Sequence, residues 1–112
     1  MNKQIAFQFD GKDYTLEFTR NTVRQMERRG FVADDLSTKP MSVLPDLFAG
    51  AFLANHPQLK RDKIDSIYNY MGDKQRLVAA LVEMYTATID TLLDEPDEGK
   101  NVVWTPNWSE EI

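Results

Sequence analysis

Apolar and polar side chains alternate along the first 19 residues with the two-residue period of a β-strand. The apolar positions are Ile5, Phe7, Phe9, Tyr14, Leu16 and Phe18. The Asp10-Gly11 sequence between the two runs predicts a β-hairpin over residues 4–19, with a loop of either two or four residues. Both registers place the apolar side chains on one face, because they differ by two residues. An isolated hairpin is marginally stable, so we expect helices to cover this face.

Four later segments repeat apolar residues with the spacing of amphipathic helices. They span about residues 21–29, 43–55, 61–71 and 74–94. Thr19 or Asn21 is placed to cap the first helix, Gly30 to end it, and Asp73 to cap the fourth. The apolar stripe of the fourth helix contains Leu77, Val78, Leu81, Val82, Tyr85, Ile89, Leu92 and Leu93.

The order of these segments predicts the fold class. A hairpin followed by a run of helices is typical of α+β proteins. We therefore expect an N-terminal antiparallel β-hairpin, a bundle of about four α-helices and an extended C-terminal tail. Residues 1–95 are predicted to form a single domain, and residues 96–112 an acidic and aromatic tail.

The second helical segment is the most apolar of the four. If Ser42 caps it, Pro45 lies in the first turn, where its missing N–H costs nothing. One stripe then contains Val43, Leu44, Leu47, Phe48, Ala51 and Phe52. This composition predicts the central helix, with Gly50 allowing a neighbouring backbone to approach closely. The stripe favours core packing, and a partner-binding groove is the alternative.

The end of the chain carries apolar surface that a helix cannot bury. An acidic segment at residues 94–98 is followed by Val102, Val103 and Trp104, then by Trp108. Pro106 excludes a central strand, because proline cannot donate to a sheet. Little core remains to cover two indole rings, so this tail is predicted to contact a partner.

Composition excludes several classes of protein. The 112 residues include no cysteine, which excludes a disulfide scaffold and a thiolate metal site. An apolar run near eighteen residues is missing from the sequence, so a membrane span is not expected. The first residues lack the apolar region of a signal peptide. These features predict a soluble intracellular protein.

Charge is distributed unevenly along the chain. The formal net charge is −5, and from Glu83 onward eight acidic residues face one lysine. Arg20, Arg24 and Arg28 lie four residues apart, which permits a phosphate-binding stripe but favours a solvated helix face. Nucleic acid would be repelled by most of the molecule, whereas copies of the chain could stack head to tail. Simple solubility is the alternative explanation of the asymmetry.

The residues that carry most enzyme chemistry are sparse. His56 is the single histidine, precedes a proline and lies near no serine or cysteine motif, which favours a structural role. Paired acids such as Asp34 with Asp35 and Asp62 with Asp65 are more typical of solvated surface than of a metal or acid–base site. The five glycines lack phosphate-loop spacing. We therefore expect neither an enzyme nor a cofactor or metal site.

Three sequences carry a resemblance to a known family: TRNTVRQMERRGF at 19–31, KPMSVLPDLFAGAFLANHP at 39–57 and NVVWTPNW at 101–108. The chain resembles small proteins of tailed bacteriophages and prophages of Gram-positive bacteria that look like tail assembly chaperones. The resemblance implies action in the host cytoplasm during virion morphogenesis, and absence from the mature virion. It also implies binding to the tape measure protein and the major tail tube protein, and a homo-oligomer.

The partner-binding surface is expected to involve Leu44, Phe48 and Phe52 of the second helix together with Trp104 and Trp108 of the tail. We expect neither nucleic acid nor a membrane as partner. Two other functions stay open on the sequence alone. One is a structural tail or connector completion protein of the virion, and the other is a small host-directed regulator.

Overall fold

The structure, a computed structural model, describes residues 3–94, 99 and 101–108. A two-stranded antiparallel hairpin is followed by four α-helices, which confirms the α+β fold expected from the sequence. The elements are β1 (Ile5–Phe9), β2 (Lys12–Leu16), α1 (Arg20–Arg28), α2 (Pro40–Gly50), α3 (Arg61–Tyr70) and α4 (Lys74–Asp90). Short 3-10 helices lie at Ala33–Leu36 and at Thr91–Leu93, directly after α4.

The hairpin uses the shorter of the two predicted loops. Phe9 faces Lys12 across the strands, which leaves Asp10 and Gly11 as a two-residue turn. Both turn residues have positive φ, 52° and 76°, as a type I′ turn requires. The exposed and half-buried residues of β1 alternate, and its apolar face packs against the helices as predicted.

The second edge of β2 is covered by the segment that connects α2 to α3. The Thr15 N–H donates to Nε2 of His56 over 3.1 Å, and the Glu17 N–H donates to the Ala51 carbonyl over 3.0 Å. The Asn55 amide donates to the Thr15 carbonyl over 3.3 Å. Polar groups from this segment therefore take the place of a third strand and protect the edge.

We expect the substitution His56→Ala to lower the free energy of unfolding by about 1–3 kcal/mol, because the Thr15 N–H loses its acceptor. The imidazole also packs against the Tyr14 ring, with centroids 5.1 Å apart. Urea denaturation followed by circular dichroism measures the loss. Gln58→Ala, at an exposed position of the same segment, is the matched control and should change little. Equal midpoints for the two variants would contradict the structural role of His56.

Helix α1 is capped at both ends by local sequence. The Thr22 N–H donates to Thr19 Oγ1 over 3.1 Å, and the Thr19 N–H donates to Thr22 Oγ1 over 2.9 Å. This capping box confirms Thr19 as the cap, one of the two predicted residues. At the other end Gly30 has φ +92°, and the Phe31 N–H donates to the Met26 carbonyl over 3.0 Å. The pattern is a Schellman motif, which ends the helix where the glycine predicts.

Helix α2 differs from its prediction at both ends. It begins at Pro40, whose fixed φ suits a first turn, so Ser42 is not the cap and Pro45 lies inside the helix. It ends at Gly50 rather than near residue 55. Beyond that point the Ala51 carbonyl accepts from Glu17 of the hairpin. The α-helical pattern is already lost at this point, because the N–H groups of Phe52 and Leu53 donate to Ala49 and Gly50, three residues back.

Helix α4 also departs from its prediction. Asp73 occupies the capping position, but its φ of +49° is left-handed and its side chain makes no capping hydrogen bond. The α-helix ends at Asp90, four residues early, and tightens into the 3-10 turn. Arg20 of α1 donates from Nε to Thr91 Oγ1 over 2.8 Å and from Nη2 to the Thr91 carbonyl. This cation stabilises a helix end at which the dipole is negative.

The core confirms α2 as the central helix, since it contacts α1, α3 and α4. The role of Gly50 differs from the prediction in one respect. A Cβ atom built at Gly50 would collide with Sδ and Cε of Met26, so a side chain of α1 rather than a backbone occupies the space. Within the described residues, none of the helices is long and apolar enough to cross a lipid bilayer.

Candidate partner-binding surface

Large apolar side chains on the surface are concentrated in the last part of the described chain. Seven of the ten such residues among those described lie at or beyond position 89. They are Ile89, Leu92, Leu93, Val102, Val103, Trp104 and Trp108. We call the first three the α4 apolar end. Exposed apolar side chains at this density are typical of surfaces that bind another molecule, which makes this region a candidate binding surface.

The aromatic tail, residues 101–108, lies outside regular secondary structure apart from a bend at its end. Trp104 is 75% exposed and Trp108 is 65% exposed. Within the described part of the chain, no hydrogen bond, ion pair or ring contact joins this tail to the domain. The tail therefore presents two indole rings to solvent, as the sequence predicts.

A cavity of about 460 Å³ opens between the end of α1, the C-terminal half of α2 with the segment that follows it, and the start of α3. Its apolar lining comes from Met26, Phe31, Ala49, Leu53, Leu59 and Ile64. We call it the three-helix cavity. Its size falls in the range of about 300–1,000 Å³ that is usual for ligand-binding clefts.

Charged groups border the three-helix cavity. Arg29, Asp46 and Arg61 contribute to its wall. Arg61 donates to Asp46 over 2.9 Å and to Asp65 over 3.0 Å. Burial lowers the pKa of Arg61, but its hydrogen bonds to Asp65 and Asp46 outweigh this and raise it overall. The cavity thus combines an apolar interior with a charged rim, at which Arg61 is paired with two carboxylates and Arg29 makes no described ion pair.

Phe31 is held in the cavity wall by aromatic packing. Its ring makes an edge contact with Tyr85 of α4, with centroids 5.4 Å apart. Tyr85 in turn makes an edge contact with Phe18, also at 5.4 Å. Burial, with a smaller contribution from Glu27, raises the pKa of Tyr85, so its hydroxyl stays neutral. The wall beside α1 is therefore anchored to the main core.

Comparison with protein-family models gives one match, which covers residues 1–108. The chain belongs to the DUF5055 family, a domain of unknown function. The match includes the hairpin, the four helices and the aromatic tail. Searches of curated proteins and of solved structures found no match.

Two of the five predicted partner-binding residues lie in the core of the DUF5055 domain. Phe48 is 1% exposed and Phe52 is 0% exposed, which corrects their assignment to a partner surface. The hairpin and α3 enclose them, since Phe52 packs on Tyr14 and Phe48 on Tyr68. The stripe thus follows the core-packing interpretation at these positions.

The remaining predicted residues lie nearer the surface of the DUF5055 domain. Leu44 is half-buried on α2, and Trp104 and Trp108 are exposed, so these three keep their predicted role as a hypothesis. The α4 apolar end was missed, because its residues continue the periodic stripe that predicts burial. Burial of that stripe instead stops at Tyr85, the last buried residue of α4.

Most of the described acidic residues are dispersed over the surface or engaged in ion pairs. In the described ranges, no group of three or more histidine, cysteine or acidic side chains is arranged to hold a metal ion. Asp65 is paired with Arg61, and His56 accepts a backbone hydrogen bond through Nε2. The candidate binding surfaces of the described residues are the α4 apolar end, the tail and the three-helix cavity.

Proposed function

We propose that this protein is a tail assembly chaperone of a tailed bacteriophage or prophage. It binds the tape measure protein, keeps it soluble and helps to recruit the major tail tube protein. It acts in the host cytoplasm and is absent from the mature virion. The observation that carries the proposal is the concentration of exposed apolar side chains in the α4 apolar end and the aromatic tail.

The physical demand on such a chaperone fits this surface. A tape measure protein is long, helical and apolar, so its uncovered surface aggregates unless another protein shields it. The α4 apolar end offers Leu92 and Leu93 at 67% and 86% exposure, which is enough bare surface to pack against an apolar helix. The acidic residues at 94–98 follow directly and keep the uncomplexed protein soluble.

The tail supplies a second contact in this proposal. Several copies cover the tape measure protein through the α4 apolar end, while Trp104 and Trp108 engage a neighbouring copy or the tube protein. Tryptophan is enriched among the residues that dominate binding energy at interfaces, because its large flat surface is fully desolvated there.

Co-expression with the tape measure protein encoded nearby tests the proposal. We expect the tape measure protein to become soluble and to co-purify with the wild-type chain. The double variant Leu92→Ser, Leu93→Ser should leave it in the pellet. Met41→Ser is the matched control, because Met41 is 90% exposed on α2 and lies outside the α4 apolar end.

Two outcomes would contradict the proposal. In one, the tape measure protein stays insoluble and unbound beside the wild-type chain. In the other, the Leu92/Leu93 variant captures as much of it as wild type does. Mass spectrometry of purified particles is a further check, because retention of the protein in the virion would favour a structural tail component instead.

A further inference from the structure

We infer that the three-helix cavity receives the aromatic tail of a second copy of this chain. The inference deepens the proposed function in one respect, because it assigns the tail to self-association. It does not depend on the tape measure protein.

The interior of the cavity suits an indole ring. Its volume of about 460 Å³ is lined by aliphatic and aromatic side chains, with Met26 among them. The thioether end of Met26 packs over Gly50, where no Cβ is present. Methionine adapts its shape to a ligand and makes favourable contacts with aromatic rings. The described tail offers two such rings, both largely in solvent.

The charges of the two partners are complementary. Arg29 stands at the rim of the cavity, where no described acidic group pairs with it, and Arg28 beside it is exposed. Arg61 contributes little to this attraction, because Asp46 and Asp65 already pair with it. Residues 94–112, which contain the aromatic tail, carry six acidic residues and one lysine. Opposite local fields steer the tail towards the C-terminal end of α1 and set its orientation in the cavity.

The occupant comes from another molecule. In the described structure the tail makes no hydrogen bond, ion pair or ring contact with its own domain. A tail from one copy in the cavity of the next is a heterologous contact, in which two different surfaces meet. Repetition of such a contact gives a ring or an open chain, which suits a partner that is long and extended.

Sedimentation velocity of the full chain over a range of concentrations tests the inference, with no other protein present. Wild type should associate as concentration rises. The tail variant Trp104→Ala, Trp108→Ala and the filled-cavity variant Ala49→Met should each stay monomeric. Arg29→Glu should weaken association at least tenfold. Its matched control, Arg24→Glu, reverses the same charge on the same helix outside the cavity lining and should weaken it far less.

A mixture of two variants gives the sharpest result. The tail variant keeps an intact cavity, and the Ala49→Met variant keeps an intact tail. Neither associates alone, but together they should form a one-to-one heterodimer and nothing larger. Circular dichroism confirms that each variant is folded, and the Arg29→Glu result decides the matter if Ala49→Met is not.

The inference is overturned if the wild type is monomeric at every concentration. Binding of the tail in the cavity of its own molecule would give this result. The inference is also overturned if the mixed variants fail to form the heterodimer, or if Arg24→Glu is as damaging as Arg29→Glu. These results are separate from the tape measure experiment. Self-association can fail while Leu92 and Leu93 still solubilise the tape measure protein, and the reverse also holds.

Discussion

The substitution Phe52→Ala is expected to lower the free energy of unfolding by about 3–5 kcal/mol. Phe52 is fully buried where the hairpin meets the helices. Its ring lies 5.0 Å from that of Phe48, 6.0 Å from Tyr14 and 6.4 Å from Phe7, measured between centroids. Alanine would leave a cavity between the aromatic rings of the hairpin and the ring of Phe48 on α2. This cavity cannot close unless the hairpin moves.

This loss is large beside the total stability of a domain of this size, which is typically about 5–15 kcal/mol. Urea denaturation followed by circular dichroism should show a much lower midpoint for Phe52→Ala. Met41→Ala provides the control, because its side chain is 90% exposed and its removal should change stability by less than about 0.5 kcal/mol. A midpoint for Phe52→Ala close to that of the control would show that Phe52 is not a core residue.

The second large effect is expected at Gly50, where the sign of the stability change on substitution by alanine depends on Met26. We expect Gly50→Ala to destabilise the protein by about 1–3 kcal/mol, because the new methyl group overpacks the space that Met26 fills. Alanine is otherwise the better helix former by about 1 kcal/mol. In a Met26→Ala background the collision is absent, so the same substitution should become stabilising. The two sites are therefore expected to be strongly coupled.

A double-mutant cycle on Met26 and Gly50 measures this coupling through urea midpoints. Gly72→Ala is the matched control, since a Cβ at Gly72 meets nothing within 4 Å and its φ is not positive. It should be neutral or slightly stabilising. If Gly50→Ala raises the midpoint in the wild-type background, Met26 can swing aside into the three-helix cavity without cost.

Local pattern predicted most of the fold correctly, and the exceptions have tertiary causes. The turn at Asp10 and Gly11 and the ends of α1 follow from nearby residues, because their hydrogen bonds close within six positions. The end of α2 does not. Directly after it, the Ala51 carbonyl accepts from the Glu17 N–H, 34 positions away, and no periodicity in the sequence carries that information.

The candidate site was predictable only in part for a related reason. A tail that follows an acidic break and contains Pro106 cannot form a central strand and has little core left to join, which predicts the exposure of Trp104 and Trp108. The sequence does not show that Phe48 is buried and Leu92 exposed, because both occupy apolar positions of periodic helical segments. Which of them is buried depends on where neighbouring elements end. The three-helix cavity forms where three helices pack against one another, and no local pattern in the sequence predicts it.

The hydrogen bonds from Arg20 to Thr91 fix the position of the residues that precede the tail. An extended chain covers at most about 3.6 Å per residue, so Trp104, ten residues beyond Asp94, stays within about 36 Å of the domain. A ligand on so short a tether has an effective concentration near the millimolar range. Once two copies sit side by side on a common scaffold, even a weak tail contact would be largely occupied, whereas copies diluted in the cell would separate. Assembly would then be governed by the scaffold rather than by the abundance of the protein.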